Sequence, residues 1–220
     1  MPVSAEKVLF RNVSILDSTG TDPYPGDVLV ENDRIAAVGT VDAARAEGAR
    51  VIEGRGRTLM SGLCDAHTHF SWNNSADLDG LGTMPVEEHL LFCLESAKTY
   101  LDSGYTMCLG AASAKERLDV VCRDAINAGR IPGPRYLANG PEIAVTGGAL
   151  IKSITKFADG PEGMRKAVRE LIELGVDQIK LSMTGEEITG TQHAEDTYFS
   201  DEEVAAAVAE ARPRPRRGEY

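Results

Sequence analysis

This sequence has no C-x-x-C pair, no apolar window approaching a membrane span and no excess of positive charge. Each absence removes a class of function. Cys64, Cys93, Cys108 and Cys122 lie far apart. Neither a zinc knuckle nor a thioredoxin-type dithiol is expected from them, and they read as buried, reduced thiols. Lys and Arg number 23 against 34 Asp and Glu, for a formal charge of −11. Such a chain has no general attraction for nucleic acid or anionic lipid. The start, Met1-Pro2-Val3-Ser4-Ala5-Glu6-Lys7, lacks the apolar core of a signal peptide, which makes a cytoplasmic location the expectation. Histidine is scarce as well, at four residues.

What is present is the composition of a soluble globular protein, with 42% hydrophobic and 26% charged residues over a length of 220. Residues 1–57 read as short strands and turns, a small antiparallel β unit. Lys7–Leu16 alternates, Asp27–Glu31 and Arg34–Val38 flank an Asn32-Asp33 hairpin turn, and Val51-Ile52 adds a short strand. From Thr58 the pattern changes to strand-then-helix. Strands are expected at Leu59–His69, Tyr105–Leu109, Arg135–Ala138 and Gln178–Met183. Helices are expected at 86–103, at 114–128, at 161–174 after an Asp159 cap and before a Gly175 stop, and from a capping box at Ser200-Asp201-Glu202-Glu203. Four β-then-α units imply a parallel sheet covered by helices. The long loops follow the strands, at 71–85, 139–160 and 184–199, as they do on the active face of a β/α barrel. The domain division expected is 1–57 for the β unit, 58–211 for the barrel units and 212–220 for a basic tail.

His67-Thr68-His69 closes the apolar run Thr58–Phe70. Residues i and i+2 of a strand share a face, so Asp65, His67 and His69 are expected to line one face together. Two imidazoles from one rigid strand make half of a divalent metal site; the bland alternative is a chance pair. Lys180 falls in the middle of an apolar strand pattern. Burial there would favour its neutral amine, whereas a strand-end lysine would snorkel to solvent. Asp65 reads as a supporting group rather than a direct ligand. His89, beside Glu87-Glu88, reads as part of a solvated helix face. His193 lies in the loop after the fourth strand, a candidate to touch substrate or a plain loop histidine. Gly147-Gly148 could bring backbone close to a ligand or simply turn the chain.

Three segments together resemble the amidohydrolase superfamily of metal-dependent hydrolases. They are Gly26–Gly39, Val51–Arg57 running on through Leu63-Cys64-Asp65-Ala66-His67-Thr68-His69, and Asp177-Gln178-Ile179-Lys180-Leu181-Ser182. The last is similar to the fourth barrel strand of the branch holding prolidase-like, imidazolonepropionase-like and phenylurea hydrolase-like enzymes. Ser61 and Cys64 depart from the commoner residues of the pattern. The resemblance implies a (β/α)8 TIM barrel with a small β-sandwich domain. It implies that His67, His69 and a carbamylated Lys180 hold one or two divalent metals, zinc first among them. The catalytic role of Lys180 comes from the same resemblance. The implied reaction is attack of metal-activated hydroxide on an amide, urea or peptide-like carbon–nitrogen bond of a small-molecule substrate, with homo-oligomers among the forms expected.

Only four of eight barrel units are visible, where a complete barrel takes about 250 residues. The family's histidines from strands five and six and its aspartate from strand eight have no counterpart. The expectation is an incomplete barrel, inactive by itself, with 212–220 a truncation or frame-change product, or alternatively a functional basic tail. A partner-binding or non-catalytic fragment is the alternative from another class, and a phosphotriesterase-like esterase is the alternative enzyme.

Overall fold

The computed structural model describes residues 6–73, 77–148, 151–185 and 192–212. These form two units, divided between Gly62 and Leu63.

The first unit is one mixed sheet. β1 (Lys7–Leu16) pairs antiparallel with β2 (Tyr24–Glu31), which pairs antiparallel with β3 (Arg34–Gly39). β4 (Arg50–Glu53) and β5 (Thr58–Met60) both add to β1 in parallel. The sheet is therefore not purely antiparallel, as the alternation alone suggested. β1 can take two successive partners because its register breaks between Phe10 and Val13. Asn12 sits there at φ 53, its N–H turned to Asp27 Oδ1 at 2.8 Å and its amide to Glu53 Oε1 at 2.7 Å. Val13, Ile15 and Val28 form its buried core, flanked by Phe10, Tyr24, Val30 and Leu59. The run read as one strand over 59–69 is two. Ser61-Gly62 interrupts it, and β5 joins the first sheet while β6 (Leu63–Thr68) begins the second.

In the second unit β6, β7 (Tyr105–Gly110) and β8 (Arg135–Leu137) form a parallel sheet in that order. α1 (Gly80–Thr83) is a single turn in the loop after β6. α2 (Val86–Asp102) and α3 (Leu118–Asn127) cover one face of the sheet. Cys93 and Ala97 from α2, Cys108 from β7, Leu118, Val120 and Cys122 from α3, and Tyr136 from β8 are buried together. Three of the four thiols are thus interior, while Cys64 is exposed. β9 (Ile143–Ala144) and β10 (Lys156–Phe157) make a short parallel pair. α4 (Gly160–Leu174) and α5 (Asp201–Ala211) enclose a second core built from Met164, Ala167, Val168, Leu171, Ala206 and Ala207. No helix among the described residues is long and apolar enough to cross a membrane.

Three expectations need correction. α3 starts at Leu118, not Ala114, because Ala111, Ala112, Ser113 and Ala114 are buried as non-helical chain after β7 and Ala114 N–H donates to Ser71 Oγ at 2.8 Å. The segment 178–183 is extended but not a full strand. It makes one parallel bridge, Ile143 to Leu181, and a two-residue β9 cannot offer more ladder than that. Asp159 occupies the N-cap of α4 without capping it, since its carboxylate instead accepts from Thr146 N–H at 2.9 Å and Thr146 Oγ1–H at 2.6 Å. The basic tail beyond Arg212 lies outside the described residues.

The cap that Asp159 does not supply comes from α5. Glu203 Oε1 accepts from Gly160 N–H at 2.7 Å, while Oε2 accepts from Ser200 N–H at 2.8 Å in the capping box. One carboxylate therefore satisfies the starts of two helices. These hydrogen bonds, Ser200's backbone N–H first, hold Glu203 below the usual glutamate range. Glu203→Ala should lower stability by about 1 kcal/mol in urea unfolding, the typical value of a lost cap. A depressed carboxyl pKa contributes stability above its unfolded value and loses it as pH falls through the folded one. The gap between parent and variant should therefore be full near pH 7 and close on acidification below about pH 4.

Candidate metal centre

Parallel pairing of β6 with β7 is out of step between Asp65 and Thr68: Asp65 lies opposite Cys108 and Thr68 opposite Gly110. Three positions on β6 thus answer two on β7, a bulge. Asp65 is directed with Cys108 toward the helix layer, where its charge acts on Tyr100 of α2. It does not line a face with the two histidines, as strict alternation predicted. Its Oδ1 also accepts from His67 N–H at 3.0 Å, so it fixes the backbone from which the first imidazole projects.

His67 and His69 converge. Their Nε2 atoms are 3.1 Å apart, with ring centroids at 5.0 Å and planes at 57°. His69 Nδ1 faces the Ala112 carbonyl oxygen at 3.2 Å and donates to it, which leaves the Nε2 lone pair facing His67 Nε2. Two imidazoles on one tetrahedral ion with metal–nitrogen bonds of about 2.0–2.1 Å place their nitrogens about 3.3 Å apart. The observed pair fits that donor geometry. His67 is exposed and His69 half-buried. Burial is the main reason that the His69 pKa is pushed down to about 4; the Ala112 bond opposes this, and the charges of His67 and Lys180 add to it.

The Lys180 charge acts on His69 and lowers its pKa. Ile179, Leu181 and Met183 pack against the α4–α5 core, so by alternation Gln178, Lys180 and Ser182 take the opposite face. Gln178 Nε2–H donates to the Gly110 carbonyl at 2.5 Å and Ser182 Oγ–H to Glu142 Oε2 at 2.9 Å. Lys180 sits between these two anchors. Among the described residues no group of three or more His, Cys, Asp and Glu could hold an ion.

The other candidates fall elsewhere. His193 is exposed, with its backbone N–H donating to Asp196 Oδ2 at 3.0 Å. Gly147-Gly148 closes a turn in which Gly148 N–H donates to the Val145 carbonyl at 2.9 Å, with Gly147 at φ 88. His89 is not on a solvated face. It is completely buried, and its Nε2–H donates to the Ser71 carbonyl at 2.5 Å, tying α2 to the loop after β6. Position along a helix next to two glutamates gave no sign of that.

Three contributors escaped the sequence reading. Trp72 stacks on His69 with centroids 3.9 Å apart and planes at 24°. Ala112 acts through its backbone oxygen, invisible in a sequence. Asp119, buried at the start of α3, accepts from Asn139 N–H and Gly140 N–H, each at 2.7 Å, and fixes the chain leaving β8. Burial raises its pKa against the lowering effect of those bonds.

Residues 58–215 match the model of the Amidohydrolase family. The chain belongs to that family. Among curated amidohydrolase-like relatives it is 27% identical to ochratoxinase of Aspergillus niger over 240 aligned positions, covering 93% of this chain and 48% of ochratoxinase. It is 35% identical to imidazolonepropionase of Treponema denticola over 103 residues, 43% of this chain and 22% of that protein. A solved amidohydrolase superposes with a TM-score of 0.82 at 28% identity, over 93% of this chain and 53% of its own. A prolidase complexed with N-methylphosphonate-L-proline gives 0.81, also at 28% identity and with the same coverage. The chain spans about half the length of these two structures and of ochratoxinase. Its fold is the corresponding α/β portion of the family's β/α barrel.

The low His69 pKa gives a direct check. In metal-free protein the ring should stay neutral down to about pH 4 in imidazole NMR titrations. The unfolded chain binds a proton at about 6.5 that the native state refuses. Stability should therefore fall as pH drops from about 6.5 to about 4, and His69→Gln should flatten that slope. A His69 titrating near 6.5 would contradict the burial described.

Proposed function

We propose that this chain carries the metal-binding part of an amidohydrolase that cleaves a carbon–nitrogen bond in an amide, urea or peptide-like small molecule. The observation that carries the reading is the approach of His67 Nε2 to His69 Nε2, with the Lys180 charge acting on His69. The relatives support it: one solved neighbour is a prolidase and another a phenylurea hydrolase.

His67, His69 and Lys180 would hold one or two divalent ions, with zinc the first choice for two imidazoles and an oxygen donor. Such an ion, when bound, supplies the Lewis acidity that makes water a nucleophile near neutral pH and polarises a carbonyl. The chain's own residues do the rest of the work visible here. Ala112 holds the His69 tautomer, Asp65 holds the backbone of His67, and burial keeps His69 neutral and so able to donate its lone pair. Lys180 becomes an oxygen donor if its neutral amine adds carbon dioxide. Nζ forms the new carbon–nitrogen bond and loses a proton, leaving a carbamate with two oxygens. Gln178 and Ser182, anchored on either side, keep that group aimed inward. The proton-transfer group and the substrate pocket are assigned to the remainder of a complete barrel.

Two measurements test this. Zinc content after dialysis against metal-buffered solution should fall to background in the double variant His67→Ala, His69→Ala. Equal retention by parent and double variant would place the metal elsewhere and sink the reading. Lys180→Ala should lose metal as well, and added short carboxylates should restore part of it by filling the cavity with free oxygen donors. Unchanged metal content in Lys180→Ala would make Lys180 a bystander. Where metal is retained, a panel of amides, ureas and dipeptides with added zinc or cobalt reports the substrate class.

A further inference from the structure

We propose that Trp72 is a positioning residue for the His69 imidazole, and that its indole reports directly on what His69 binds. This rests on the reading of His67 and His69 as metal-binding residues.

The chain turns back immediately after the histidine: Trp72 N–H donates to the His69 carbonyl at 3.2 Å. That turn lays the indole over the imidazole at 3.9 Å and 24°. The indole also packs on a buried cluster of Leu81, Ala114, Ile151 and Ile154, as does Leu78. The ring is wedged, not hung from a hydrogen bond. Its Nε1 is buried and has no acceptor among the described residues.

The wedge matters because the other restraint on His69 is incomplete. A single bond from Nδ1 to Ala112 fixes one atom of the ring but leaves the plane free to swing about it. A flat surface against one face removes that freedom. Together the two contacts leave Nε2 one direction, toward His67 Nε2. Outer contacts of this kind on a metal-binding histidine alter affinity by about 10–100-fold when removed. A purely structural tryptophan would alter folding stability and leave affinity in the folded protein unchanged.

Trp72 is the only tryptophan in the chain, so its fluorescence belongs to this contact alone. The 220-residue protein is titrated with Co2+ and with Zn2+, following tryptophan emission and, separately, bound metal by equilibrium dialysis. Emission should change in step with binding, and His69→Ala should abolish both signals. Trp72→Leu should weaken binding by about 10–100-fold, while Trp72→Phe, which restores an aromatic face, should recover most of it. The His69 ring protons should carry an upfield ring-current shift in the NMR spectrum of the metal-free parent and lose it in Trp72→Leu. Circular dichroism confirms that each variant is folded. If His69→Ala binds as tightly as the parent, the metal reading itself fails and the inference falls with it. If His69→Ala loses the metal but folded Trp72→Leu binds like the parent, the positioning role is overturned and the metal reading survives. Should Trp72→Leu not fold, metal binding to the parent without any change in emission overturns the inference on its own.

Discussion

The bulge in β6 is the constraint on which the candidate centre depends. A regular strand would send Asp65, His67 and His69 to one face. The slip of register between Asp65 and Thr68 divides them instead. Asp65 turns to Tyr100 in the helix layer and supports His67 through its backbone, while the two imidazoles meet at their Nε2 atoms. Thr68, at one end of the bulge, is held twice. Thr68 Oγ1–H donates to the Leu109 carbonyl at 2.8 Å, and the Thr68 carbonyl accepts from Ala111 N–H at 2.8 Å. The same stretch of chain then places Ala112 against His69. A backbone irregularity thus sets side-chain convergence, ring tautomer and supporting contact together.

Across from it, the segment carrying Lys180 is held in a different way. Its ladder is nearly absent, and backbone contacts are few. Ala138 O accepts from Asp177 N–H at 2.7 Å and from Gln178 N–H at 3.2 Å, and Ile143 exchanges bonds with Lys180 O and Ser182 N–H at 2.9 Å each. What keeps it straight is burial on one face and side-chain anchoring on the other. Ile179, Leu181 and Met183 sink into the α4–α5 core. Gln178 and Ser182 reach neighbouring strands or loops above and below Lys180. The lysine direction therefore depends on alternation imposed by a hydrophobic layer, more than on sheet hydrogen bonding. Arg123 adds an ion pair to Asp177 at 2.7 Å, which ties the start of this segment to α3.

Much of the fold was legible because local rules and tertiary packing agree. The α2 stripe, the Gly175 stop at φ 89 and the Ser200–Glu203 capping box each have a local physical cause, and each stands where the pattern placed it. The misread places are those where burial competes with pattern. Ala114 looks helical in sequence, yet it is buried in non-helical chain ahead of α3. Asp159 has the right identity for a cap, but Thr146 claims its carboxylate and Glu203 replaces it from a helix distant in sequence. His89 looks solvated beside Glu87 and Glu88, but a helix turns one face inward, and His89 is on that face.

The sequence by itself determined most types of element, their alternation, the family, and the convergence of His67 with His69. These follow from residue chemistry and from spacings of two or of three and four, which any chain obeys locally. Only the tertiary structure decided how those groups are used. It moved Asp65 off the histidine face through a change of register on a neighbouring strand. It brought the Ala112 carbonyl and the Trp72 ring against His69, and it lowered that imidazole's pKa by burying it. Register, burial and contacts from backbone atoms depend on which segments become neighbours. Sequence spacing along one segment does not carry that information.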